Sequence, residues 1–202
     1  MRIETLGIIG AGTIAQAIAR HALNVGHKVT LSNSRGPETL ESLVEELGPG
    51  ASAGTTAEAA RADAVLLAVP WTRVPQALSG LPPWDGRILI DATNRFPTGS
   101  PESEAADLDE RTGSEVVAGL APGAHVIKAF NTLHGRHIAA DPRQDAGRRV
   151  LFLAGDAAPA AVFAEWADGL GFAPVNVGDL RTGGRLMQVG GSLSGLHLLK
   201  QG

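Results

Sequence analysis

The sequence predicts an α/β fold, a doubly wound parallel sheet with a short C-terminal helical appendage. Three observations predict it. Short runs that are apolar on both faces recur along the chain, as the strands of a buried parallel sheet do. Alanine-rich stretches at helical spacing separate those runs. A glycine-rich turn, Gly10-Ala11-Gly12-Thr13-Ile14-Ala15, stands between the first run and the first helical stretch. Strand, helix and strand in repetition imply a parallel sheet covered on both sides.

Taken in order, Leu6-Gly7-Ile8-Ile9 is an apolar run that stops at Gly10. Residues 28–32 form the second expected strand. Residues 64–69 (AVLLAV) form the third, and 87–90, 125–130 and 149–153 complete the set. Helices are expected over 13–23, 37–47, 57–62 and 159–170. The polar segment 96–108, with its prolines and acids, reads as a surface loop or lid, and the acids from 102 to 110 as its solvated face. Residues 183–200 mix five glycines with Leu186, Met187, Val189, Leu193, Leu196, Leu198 and Leu199. That segment reads as a weak helix packed on the domain or on a second subunit. The expected division is therefore a domain over 1–180 and an appendage over 181–202 that contributes to a substrate cleft or to a homodimer contact.

Composition narrows the function. The 202 residues are 44% hydrophobic and 19% charged, with a formal net charge of −4. That balance gives no attraction to nucleic acid or to an anionic membrane surface. The absence of cysteine excludes disulfides, thiolate metal sites and a catalytic thiol. No metal-ligand spacing is apparent. No apolar run approaches the roughly 20 residues that span a bilayer, and the first strand runs directly into a glycine turn rather than into a signal peptide. A cytoplasmic protein is expected.

The turn at 10–15 matches G-x-G-x-x-G/A in the right setting, with a strand before and a helix after. In this Rossmann pattern Gly10 permits the tight turn. Gly12 lacks a Cβ, which lets a pyrophosphate approach the backbone, and Ala15 lets helix and strand pack closely. The helix starting at Thr13 and Ile14 then presents free N–H groups to the phosphates. About 20 residues on, an NAD site would carry a carboxylate for the ribose hydroxyls. Here the strand ends in Ser32-Asn33-Ser34-Arg35-Gly36-Pro37, with no acid before Glu38. A guanidinium pairs with a 2′-phosphate that a carboxylate would repel. Arg35, with Asn33 and Ser34, is thus the expected 2′-phosphate site, and NADPH the expected coenzyme.

These residues, together with Ala68-Val69-Pro70-Trp71, Asp91-Ala92-Thr93-Asn94 and Lys128-Ala129-Phe130-Asn131-Thr132, resemble the NADPH-dependent coenzyme F420 reductases (F420H2:NADP oxidoreductases) over nearly the whole chain. Related domains serve as the NADPH-binding part of membrane metalloreductases. The resemblance implies a Rossmann domain with a C-terminal appendage at the substrate cleft. It also implies hydride transfer between NADPH and a flavin-like acceptor such as coenzyme F420. Archaeal members of that family place a histidine where Asn131 stands here.

Ligands of such sheets bind beyond the carboxyl ends of the strands. Val69 and Pro70 are expected to wall the nicotinamide, Asn94 to bond its ribose or carboxamide, and Ala129 to contribute from the strand before Phe130. Asn131, Thr132 and His134 should face the acceptor, with Asn131 and His134 the substrate-cleft candidates. Trp71 reads equally as packing. Lys128 reads as a structural lysine at a strand end, or else as a proton donor or pocket charge. No catalytic dyad is visible, which suits direct hydride transfer, where the coenzyme carries the reaction. Two other readings stay open: an NADPH-dependent reductase of a small imine or carbonyl compound, and a non-catalytic NADPH-sensing module.

Overall fold

The structure, a computed structural model, describes residues 2–95 and 111–201. The expected lid at 96–108 and the acids up to 110 lie outside the described residues. Six strands form the parallel part of the sheet: β1 (Thr5–Ile9), β2 (Lys28–Ser32), β3 (Ala51–Ala53), β4 (Ala64–Leu67), β5 (Ile88–Asp91) and β6 (His125–Ala129). Their spatial order is β3-β2-β1-β4-β5-β6. The connection direction reverses between β1 and β4, the switch point of a Rossmann-like sheet. Beyond β6 the sheet continues through β8 (Gly147–Ala154), which runs antiparallel to β6, and β9 (Ala173–Asn176), parallel to β8. A short β7 (Arg143–Gln144) folds back on β8.

Alternation along the central strands sends successive side chains to opposite faces. Ile8, Leu66 and Ile90 enter one core, with Ala15, Ile18 and Ala22 of α1 (Thr13–Asn24) on the same side. Phe130, Phe163 and Phe172 fill that core further along, where the rings of Phe163 and Phe172 lie edge-on to Phe130 at 6.1 and 5.8 Å. Ile9, Val65, Leu67 and Leu89 enter the other core, against Val74 and Leu78 before the β5 strand, Trp84, and Val117. Helices therefore cover both faces, as the sequence predicts. The remaining helices are α2 (Glu41–Leu47), α3 (Thr56–Ala59), α4 (Val74–Leu78), α5 (Gly113–Leu120), α6 (Gly135–Ala139), α7 (Ala157–Gly169) and α8 (Thr182–Met187).

Gly7 carries an unexpected constraint. A Cβ there would sit 1.8 Å from the carbonyl oxygen of Ala59, so α3 packs backbone to backbone on β1. The helix expected over 37–47 opens as a 3-10 turn, Pro37–Leu40, before α2 begins. The helix expected over 183–200 is confined to α8. Gly190 and Gly195 follow with φ of 86° and 78°, backbone that glycine adopts without strain and that ends a helix. The chain then finishes as β10 (Leu199–Lys200), antiparallel to β8. Met187 of α8 packs with Val150, Phe152 and Ala154 of β8.

Candidate functional site

Gly10 is held where β1 turns. Its N–H donates to Ser32 O at 2.9 Å. Its φ is 118°, and a Cβ would lie 2.2 Å from Ala68 O, so the turn passes against the end of β4 at a distance only glycine allows. Gly12 differs in kind. Its backbone is extended, and a Cβ built on it would meet nothing within 4 Å. Open space therefore stands over Gly12, where a bulky anion can approach the main chain. Gly12 also caps α1 without any side-chain acceptor, and the first turn carries no acid. The leading amides of a twelve-residue helix, those of Thr13 and Ile14 among them, face that space with their partial positive charge. Ala15 is fully buried against the sheet.

At the end of β2, Ser32 is buried and donates to Ile8 O at 2.8 Å, which ties the two strands together. Asn33 builds the following loop. Its Oδ1 accepts from the Arg35 N–H at 2.8 Å, and its Nδ2 donates to Thr39 Oγ1 at 2.9 Å. The Asn33 amide is thus engaged within the loop, while Ser34 and Arg35 are exposed on it. Gly36, at φ 103°, completes the turn, and the Glu38 carboxylate lies over its α-carbon.

A cleft of about 560 Å³ opens beyond the carboxyl ends of β4, β5 and β6. Seven of the expected site residues line it: Ile14, Val69, Pro70, Asn94, Asn131, Thr132 and His134. Gly10, Gly12, Thr13 and the Asn33–Arg35 loop are outside this lining, on the N-terminal side of α1 and at the end of β2. Ala129 lies in the core with no exposed surface, main chain included, and so stands behind the cleft rather than in its lining. Trp71 does two things at once. It packs on the core with Val74 and Leu89, and it lines the cleft.

The floor of the cleft is set by a buried ion pair between Asp91 and Lys128, the residue that the sequence reads as a structural lysine at a strand end, or else as a proton donor or pocket charge. Asp91 accepts from Lys128 Nζ at 3.1 Å and from Ser114 Oγ at 2.7 Å. Its other oxygen accepts from the Thr93 N–H and hydroxyl at 2.9 and 2.6 Å. Lys128 also donates to Thr93 O. Both charges are buried, and the ammonium and the carboxylate are each held by more than one hydrogen bond, as burial of a charge requires. Lys128 is therefore committed to the Asp91–Thr93 turn. That turn in its own right fixes Asn94, whose Nδ2 donates to Asn131 O at 2.8 Å. Asn131 Nδ2 donates to Asn94 Oδ1 at 3.1 Å and to Met187 O at 2.8 Å, and so holds α8 at the cleft.

The C-terminal segment closes one side, through Val189, Ser194 and Gly195. The Gly195 N–H donates to Thr132 O at 2.9 Å. From sequence this appendage is expected at a substrate cleft or a dimer contact but reads as a weak helix, because the glycines that bend the segment also erase its periodicity. His134 is exposed at the start of α6 and lines the cleft. His137 stacks on His197 at 4.0 Å. Partial desolvation, with His197, Arg136, Arg149 and His134 nearby, holds the His137 imidazole below its usual pKa. His21 is structural: it is buried, and its Nε2 donates to Ile138 O at 2.6 Å. Among the described residues no three His, Asp or Glu side chains are grouped to hold a metal ion. No helix among them is long and apolar enough to cross a membrane.

Comparison with known proteins places this geometry among relatives. A hypothetical protein from Sinorhizobium meliloti superposes with a TM-score of 0.88 at 39% identity, over 100% of this chain and 97% of that one. A candidate F420-dependent NADP reductase from Arthrobacter sp. FB24 shares the fold, with a TM-score of 0.71 at 24% identity over 89% of this chain and 86% of the other. The chain is 28% identical to Metalloreductase STEAP3 of Rattus norvegicus over 87% of its own length, and spans 34% of that protein. It is 30% identical to a glycerol-3-phosphate dehydrogenase (NAD(P)+) of Rhodopseudomonas palustris, of which it spans 54%. Residues 5–95 match the model of the family described as NADP oxidoreductase, coenzyme F420-dependent. The matched stretch runs from β1 to the end of the Asp91–Asn94 turn, the part that builds the glycine turn, the Arg35 loop and two walls of the cleft.

Proposed function

We propose that the protein is an oxidoreductase that binds NADP(H) and exchanges a hydride with a flat deazaflavin or flavin acceptor, coenzyme F420 being the first candidate. The carrying observation is the open space over Gly12 at the N-terminus of α1, which no side chain caps, two residues before Ile14, which lines the cleft. In this reading the amides of Gly12, Thr13 and Ile14 hold the pyrophosphate, and Gly10 shapes the turn beneath it. Ser34 and Arg35 meet the 2′-phosphate, while Asn33 organises their loop. When bound, reduced nicotinamide supplies the hydride.

The chain's own task is to hold two rings together and exclude water. Val69 and Pro70 offer an apolar wall without a donor. Asn94 offers an amide, and Ala129 supports the wall from below. Asn131 and His134 stand on the acceptor side. Residues 1–180 carry the coenzyme, and 181–202 supply the far wall of the cleft. The test is to mix protein and NADPH with F420, FMN and a cyclic imine in turn, and to follow NADPH oxidation. Turnover with F420 or FMN is the expected result. Turnover with the imine alone would move the protein to the imine-reductase reading. NADPH binding without turnover on any acceptor would mark a sensing module.

A further inference from the structure

Five buried side-chain atoms among the described residues have no hydrogen-bond partner, and the two oxygens among them belong to adjacent residues, Asn131 Oδ1 and Thr132 Oγ1. Both residues line the cleft, and both are more than nine-tenths buried, at 6% and 2% exposure. The orientation of the Asn131 amide is fixed. Met187 O can only accept, so Nδ2 faces it and Oδ1 is left as an acceptor. A buried polar atom without a partner costs free energy, and in a native fold it calls for an explanation.

The backbone immediately before the pair is also unusual. Phe130 has φ of 64°, and a bulky residue adopts that conformation only when its surroundings enforce it. Phe163 and Phe172 enforce it by holding the Phe130 ring edge-on in the core. The effect is to turn the chain out of β6 so that Asn131 and Thr132 stand at the cleft rather than in the sheet.

We infer that Asn131 Oδ1 and Thr132 Oγ1 form an acceptor pair that receives an amide or imide N–H of the bound ligand. The inference rests on the coenzyme-binding reading above and adds to it a chemical requirement on what enters the cleft. Two sources supply that group: the carboxamide NH2 of nicotinamide, and the imide N–H of a flavin-like acceptor. A ligand group without an N–H would leave Asn131 Oδ1, which can only accept, unpaired and bind more weakly.

Thr132→Val removes the hydroxyl and keeps the shape, and Thr132→Ser keeps the hydroxyl. Calorimetry on the ligand-free and liganded full chain would use NADP+, its 3-acetylpyridine analogue (a methyl in place of the NH2), and FMN. Without ligand, Thr132→Val should melt no lower than the wild type, because the hydroxyl has nothing to lose. A clearly lower melting temperature would show an internal partner and overturn the inference. If the carboxamide is the donor, Thr132→Val weakens NADP+ roughly three- to tenfold, leaves the acetylpyridine analogue unchanged, and Thr132→Ser restores the difference. If the acceptor is the donor, NADP+ is unaffected and FMN weakens by a similar factor. Unchanged binding of both NADP+ and FMN overturns the inference while leaving the coenzyme reading intact. A wild type that binds no NADP+ would instead defeat the coenzyme reading.

Discussion

At the scale of single residues, the site depends on side chains that never touch a ligand. Lys128 and Asp91 are buried together, and between them they pin the turn that carries Thr93 and Asn94. Removing one charge leaves the other buried and unpaired, which is costlier than removing both. Lys128→Met should therefore lower the free energy of unfolding by about 3–5 kcal/mol in urea denaturation, and adding Asp91→Asn to it should recover much of the loss. The sequence alone left Lys128 open between a structural role and a pocket charge. A strand-end lysine looks the same in either case, and only the fold brings Asp91 opposite it. Asn33 is the converse case. Its residue type suits an anion contact, yet its Oδ1 and Nδ2 are both spent on the loop that presents Arg35.

At the scale of elements, the parallel strands and the glycine turn were legible because their signals are local. Residues 28–32 stand where the sequence put them, and the other strands shift by a few residues at most. What escaped were elements whose pattern is short or broken. α4 begins at Val74-Pro75, β9 contains Pro174, and α5 is announced only by the capping box of Thr112 and Glu115. The C-terminal segment was read as a helix because its leucines are frequent, but its glycines bend it into a wall and an edge strand.

One tie between elements has a measurable consequence. Asp63, just before β4, accepts from the Glu4 and Thr5 N–H groups and from the Thr5 hydroxyl, at 3.0, 2.9 and 2.8 Å. Burial raises its pKa, but the three hydrogen bonds outweigh that and hold it below the ordinary value. A lowered carboxylate pKa contributes stability above the unfolded value, near 4, and loses it as pH falls through the folded one. The melting temperature should therefore drop on acidification below about pH 4, and Asp63→Asn should flatten that part of the profile.

At the scale of the whole molecule, one end of the sheet does the work. The glycine turn, the Arg35 loop, the Asp91–Asn94 turn and Asn131–His134 all follow the carboxyl ends of parallel strands, and the C-terminal segment folds back to the same end. A monomer leaves Leu186, Val189, Leu196 and Leu198 of that segment exposed at 38–45%. The match to the model described as NADP oxidoreductase, coenzyme F420-dependent, spans residues 5–95 and so takes in the glycine turn, the Arg35 loop and the Asp91–Asn94 turn.

Recognition of NADP(H) by an uncapped helix and an exposed guanidinium is the central claim. Its most direct test is calorimetric titration of the wild type and Arg35→Ala with NADPH and with NADH. The expected result is that the wild type prefers NADPH, and that the substitution weakens NADPH about tenfold or more, the worth of a charge-assisted contact, while NADH changes little. No heat with either coenzyme, or equal losses for both on substitution, would contradict it.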